Sequence, residues 1–155
     1  MFDTILQIAD SLNKNKVEYV IIGGYALILH GFLGATEGLD IMLKMTEENI
    51  EKFKKSLKSI FADGDLEEIN FGELKKYPVI RYGTSENFYI DIISGIDIEF
   101  SYESIIRESK LIEGVDVYFA TAESLYKMKK NTHREKDKLD LVFLKEKLKD
   151  DTEIQ

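Results

Sequence analysis

The stretch Val17-Glu-Tyr-Val-Ile-Ile22, followed at once by Gly23-Gly24, constrains the fold of this chain most. It is apolar and rich in β-branched residues, so it reads as a buried strand. The glycine pair ends it and permits a tight turn that side chains would forbid. Tyr25 to Leu29 then reads as a short helix. Leu39-Asp-Ile-Met-Leu43 alternates as a second strand, with Asp40 facing opposite to Leu39 and Ile41.

The remaining elements are read in the same way. Phe2, Ile5, Leu6, Ile8, Ala9 and Leu12 fall near helical spacing and predict an amphipathic helix over Phe2 to Lys14. Thr46 is a good N-cap, and Glu47 and Glu48 favour the first turn of a helix running to about Phe61. Asp63-Gly-Asp65 signals a turn. Leu66 to Asn70 and Val79 to Tyr82 read as short strands, Phe88 to Ile93 as a stronger one closed by Ser94-Gly95, and Val115 to Phe119 as a later one. Thr121 starts a short helix. Arg134 to Leu148 is a longer one, with Leu141, Leu144 and Leu148 near one face. Helices and strands interleave without regular βαβ alternation, which gives an α+β (mixed α/β) class. The 155 residues are expected to form one domain over 1–150, with 151–155 as a tail.

A hydrophobic fraction of 44% supports a real core. No apolar run reaches about 18 residues, so no membrane span is expected. The N-terminus lacks a basic region followed by an apolar stretch, so no secretion signal is expected either. The absence of cysteine removes disulfides and thiolate chemistry and fits a cytoplasmic location. A net charge of −8 disfavours generic nucleic-acid binding. Lys127, Lys129, Lys130, Arg134, Lys136 and Lys138 nevertheless form a basic cluster. It reads either as a solvated helix face or as a local site for a triphosphate or an RNA end.

Several residues bear on phosphoryl transfer, which depends on positioning and charge neutralisation. Two divalent ions about 3.5–4 Å apart commonly clamp the reacting oxygens, and hard cations take carboxylates. Two ligands on one strand must sit at i and i+2. Positions 38 and 40 have that spacing; Asp40 fills one and Gly38 the other. Asp91, inside Tyr89-Ile-Asp-Ile-Ile93, is a candidate third carboxylate or a residue on the solvated face of a half-buried strand. Gly23-Gly24 would allow close backbone approach to a phosphate or would simply make a tight turn. His30 reads as a structural hydrogen bonder, and Tyr25 and Thr36 as packing and turn residues.

Val20-Ile-Ile-Gly-Gly-Tyr-Ala-Leu-Ile-Leu-His-Gly31, with Thr36 and Leu39-Asp-Ile41, resembles the minimal nucleotidyltransferase (polymerase β-like) superfamily, and within it the AbiEii-type toxins and related small proteins. The ending Lys129-Lys-Asn-Thr-His-Arg-Glu-Lys-Asp-Lys-Leu-Asp-Leu141 is similar to that group's C-terminal pattern. The resemblance implies a nucleotidyltransferase fold, a small mixed sheet with helices packed on one side. It implies transfer of a nucleoside monophosphate from an NTP to an acceptor hydroxyl on RNA, a protein or a small molecule, and an antitoxin or other partner protein. By the same likeness Asp40 and Asp91 would be catalytic and would hold Mg2+ or Mn2+, with Gly23, Gly24, Lys129, Arg134 and Lys136 binding the nucleotide. The alternative is a non-catalytic module that binds nucleotide or protein.

The sequence departs from that pattern at two positions. Gly34 stands where an arginine is expected and Gly38 where the first metal-binding aspartate is expected. Either the active site is naturally impaired or an active one has been inactivated by two single-base changes. A third possibility is a shifted register in which Glu37 supplies the missing carboxylate, but at i−3 from Asp40 it would face the other way unless a bulge intervenes. For Arg134, Lys136, Asp137 and Asp140 the plainer expectation is an ion-pair lattice along one helix.

Overall fold

All four residues of β1 (Tyr19–Ile22) are buried, and this strand lies at the middle of the sheet as its apolar run predicts. The computed structural model describes the backbone of residues 1–130 and 135–154, and the side chains of 1–130 and 137–151. The chain begins with α1 (Phe2–Lys14), β1, α2 (Gly23–Leu29), β2 (Gly38–Leu43) and α3 (Glu47–Lys58). There follow α4 (Phe71–Lys76), β3 (Val79–Gly83), β4 (Tyr89–Ile93), β5 (Arg107–Ile112), β6 (Val115–Ala120), α5 (Ala122–Lys129) and α6 (Glu135–Ile154).

The six strands form one mixed sheet in the order β3-β4-β2-β1-β6-β5. β1 runs antiparallel to β2 and parallel to β6, and β2 runs parallel to β4. β3 and β5 are antiparallel edges on β4 and β6. The α+β class expected from the sequence is therefore the class observed. The amphipathic face of α1 buries Ile5, Ile8, Ala9 and Leu12 and packs on β6 and α3. Ser11 on α1 donates to the Ser56 carbonyl of α3 at 3.1 Å.

Thr46 caps α3 as expected, its Oγ1 accepting from Asn49 N at 3.1 Å. Asn49 itself is buried and ties the helix to the sheet. Its Oδ1 accepts from Glu18 N at 2.8 Å, and its Nδ2 donates to Glu18 O and Lys44 O, both at 2.9 Å. The fully satisfied amide holds the entry of β1 beside the exit of β2.

Three local readings change. Leu66 to Asn70 is not a strand: Gly64–Glu68 is a 3-10 turn, and Asp63 Oδ1 accepts from Asp65 N at 2.9 Å. Leu66 and Ile69 are buried three residues apart, as a turn requires and a strand does not. The sequence reading also passes over α4, which Asn70 caps by accepting from Glu73 N at 2.9 Å, and β5, whose residues are exposed from Arg107 to Leu111 and so show no buried face. Glu113 and Gly114, at φ 48° and 83°, make the tight turn that joins β5 to β6. Finally, α3 stops at Lys58 rather than near Phe61, whereas α6 continues to Ile154 because no glycine or proline interrupts it. Among the described residues, no helix is long and apolar enough to cross a membrane.

Replacing Asn49 by Ala would leave the Glu18 amide without its acceptor and the Glu18 and Lys44 carbonyls without their donor. The expected loss is roughly 2–3 kcal/mol of unfolding free energy, read from urea denaturation at unchanged slope.

Candidate functional site

The parallel ladder of β2 and β4 pairs Gly38 with Tyr89 and Asp40 with Asp91. Residues in register on neighbouring strands point to the same face about 4.8 Å apart, so the two carboxylates are side by side. The structure thus brings together the two acidic residues that the sequence singled out. Burial pushes the Asp40 carboxyl up to about 6, and the neighbouring Asp91 adds to the shift. The positive charges of Lys129 and Arg81 oppose it.

Asp91 has a cation of its own. Arg81, its antiparallel partner on β3, donates from Nε to Oδ1 at 2.9 Å and from Nη2 to Oδ2 at 3.1 Å. The guanidinium also lies over the Tyr89 ring, 4.8 Å from its centroid. Sequence reasoning missed Arg81. Its signal was a single charge in Val79-Ile-Arg-Tyr82, but only the β3–β4 register shows which acid it meets. Asp40 forms no ion pair among the described residues.

The glycines around the acids are closely packed rather than bordering open space. Gly23 begins α2 at φ 70°, and a methyl group there would lie 2.0 Å from Asp40 Oδ2. A Cβ at Gly24 would lie 2.9 Å from Thr36 Oγ1. Thr36 acts as a turn residue, as expected, donating to Gly38 O at 2.9 Å. At Gly38 a Cβ would lie 2.0 Å from the Tyr89 carbonyl oxygen, a backbone atom that cannot swing away. The two strands approach so closely there that position 38 accepts no side chain unless the ladder shifts. At Gly34 a Cβ would meet only the Phe32 ring, at 2.3 Å, which a movable side chain can relieve. Glu37 precedes β2, exposed at the cleft, and its carbonyl accepts from Tyr89 N at 3.4 Å.

An ion-pair cluster joins the last two helices. Lys129 at the end of α5 reaches across to α6, with Nζ 2.9 Å from both Asp137 Oδ1 and Asp140 Oδ2. Asp137 is fully buried. Arg134 lies outside the described residues, and so does the side chain of Lys136. His30 is structural: its Nε2 donates to Ala120 O at 2.9 Å, and its ring meets Phe119 edge-on. Tyr25 is buried and stacks on Phe2, as a packing residue should.

Gly23, Gly24, Gly38, Asp40 and Asp91 border a cleft of about 700 Å³. Glu37, Asp40, Asp91, Asp140, Arg81 and Lys129 supply its charges, and Phe32, Val79, Tyr89, Ile96 and Met128 supply apolar wall. The donor set does not fit a divalent metal centre. Each Asp91 oxygen already accepts from the Arg81 guanidinium, whose charge opposes a nearby cation, and position 38 is closed to a carboxylate. Among the described residues no three acidic or histidine side chains gather as a metal cluster.

No protein-family model matches the sequence, and no curated protein matches it either. Solved structures do match its fold. One is an antigenic nucleotidyltransferase-like protein of Paracoccidioides brasiliensis, 13% identical, with a TM-score of 0.56 over 91% of this chain and 73% of the other. Another is a Thermotoga maritima protein described as a candidate nucleotidyltransferase, 14% identical, with a TM-score of 0.57 over 99% of this chain and 93% of the other. The chain therefore has a nucleotidyltransferase-like fold, as the resemblance implied.

Asp40 binds its proton more tightly folded than unfolded, because its carboxyl rises from 3.8 to about 6. Its ionisation costs the folded state nothing below about pH 3, and the cost grows as pH rises through 3.8 and is complete above about 6. Replacing Asp40 by Asn should change stability little at pH 4 and add about 2–3 kcal/mol at pH 7.5, measured as paired denaturation curves across that range.

Proposed function

We propose that the chain binds a nucleoside triphosphate in the cleft between β2, β4 and α5 but does not transfer its nucleoside monophosphate. The nucleotidyltransferase-like fold supports the substrate class. So do the size of the cleft and its mixture of apolar wall with the exposed guanidinium of Arg81, which suit a base and phosphates. In this reading Mg2+ or Mn2+ travels with the triphosphate as its counter-ion and is not a resident of the site.

One observation carries the non-catalytic half of the proposal. The Tyr89 carbonyl occupies the space that a side chain at position 38 would need. The missing carboxylate is therefore more than a deleted ligand. The strand pairing has closed over its place, and the acid that remains beside Asp40 is already bound by Arg81. Two-ion catalysis requires carboxylates that can share their oxygens with metal.

The test is a filter-binding titration of the four NTPs, run beside transfer of label from their α-phosphates into total RNA and protein with Mg2+ or Mn2+. Saturable binding of at least one NTP with no labelled product is expected. Metal-dependent labelling of an acceptor by the unaltered chain would refute the proposal. The double replacement Gly34→Arg, Gly38→Asp should melt at a lower temperature than the unaltered chain, since residue 38 must push β2 from β4.

A further inference from the structure

We infer that Arg81 takes the place of the divalent ion at this site, neutralising Asp91 and presenting the rest of its guanidinium to the phosphates of a nucleotide, so that binding needs no metal. The inference rests on the nucleotide-binding reading above and adds to it the group that recognises the phosphates.

The geometry around Arg81 supports this assignment. A guanidinium is a planar fork of N–H donors with a permanent charge. Nε and Nη2 are spent side-on on the two Asp91 oxygens, at 2.9 and 3.1 Å. Nη1, at the opposite edge, donates to no group among the described residues. Asp91 holds one edge of the fork and the Tyr89 ring lies under its face, so the remaining edge is fixed in direction before any ligand arrives. Such preorganisation lowers the ordering cost of binding. The side chain is 62% exposed and lines the cleft, so this edge is reachable. An arginine edge offered to an anion makes paired, charge-assisted bonds to phosphate.

The same arrangement works against a metal ion. A cation approaching Asp91 meets the guanidinium charge and must compete with its two bonds for the carboxylate's electron density. The surrounding charges make Arg81 decisive, because Glu37, Asp40 and Asp140 also line the cleft. A phosphate there without Arg81 would face carboxylates with much less compensation. Lys129, the other described cation lining the cleft, already bridges Asp137 and Asp140.

The experiment is calorimetric titration of the chain with ATP, GTP, CTP and UTP, first in EDTA and then in Mg2+. At least one nucleotide should bind in EDTA, with an affinity within about threefold of that in Mg2+. Arg81→Met should weaken binding in EDTA by about tenfold or more, and Arg81→Lys, which keeps the charge but loses the fork, should fall between. Arg81→Met removes the cation beside Asp91 and should lower the melting temperature, so circular dichroism at the titration temperature checks that each variant is folded, and the comparison of EDTA with Mg2+ needs no variant at all. Binding in Mg2+ but not in EDTA would overturn this inference and leave the nucleotide-binding reading intact. So would undiminished binding by Arg81→Met in EDTA. No binding of any nucleotide in either condition would overturn both.

Discussion

The in-register pairing of β2 with β4 sets two carboxylates, Asp40 and Asp91, on adjacent strands facing the same way. Like charges this close in a partly dehydrated setting must be relieved. A bridging cation is one solution. This chain uses another: Asp91 takes a guanidinium from β3, while Asp40 is pressed against Gly23 and binds its proton unusually tightly. The local backbone follows from the same arrangement. Gly23 has to be glycine because the Asp40 carboxylate fills its side-chain space, and Gly38 because the β4 backbone fills the other.

A second charge arrangement ties the C-terminal helices together. Lys129 spans from α5 to Asp137 and Asp140 on α6, and Asp137 has no access to water. A buried pair of this kind adds little net stability but is costly to break, so it fixes how α6 sits against α5. Because Asp140 and Lys129 also line the cleft, one side of the site is positioned by this cluster. The other side is positioned by β3 and β4 through Arg81 and Tyr89. The proposed nucleotide site thus lies between two preformed ion-pair groups.

Much of this could be read from the sequence. The apolar run ending at Ile22, the glycine pair after it and the alternation around Asp40 give β1, α2 and β2 within a residue or two of their observed bounds. Asp91 stood out as a charge inside an apolar strand, and the structure puts it beside Asp40. Arg81 could not be found this way, because its meaning depends on a register between strands that separate turns determine. Strand β5 was invisible because neither of its faces is buried, so no period of two is written into it. The reading of Leu66 to Asn70 failed because Asp63 and Asn70 each offer a local hydrogen bond that competes with a strand. The consequence of Gly38 was half visible. The missing carboxylate is plain in the sequence, but the closed space around it appears only when Tyr89 is placed opposite.

The central claim is that an arginine, not a metal ion, serves the acidic pair in this cleft. The most direct test is a crystal structure of the chain soaked with Mn2+ and a non-hydrolysable NTP analogue, with anomalous scattering used to locate the ion. The account predicts triphosphate density against the outer edge of Arg81, the Arg81–Asp91 contact intact, and no anomalous peak bridging Asp40 and Asp91. A manganese peak between the two carboxylates, with Arg81 displaced, would contradict it.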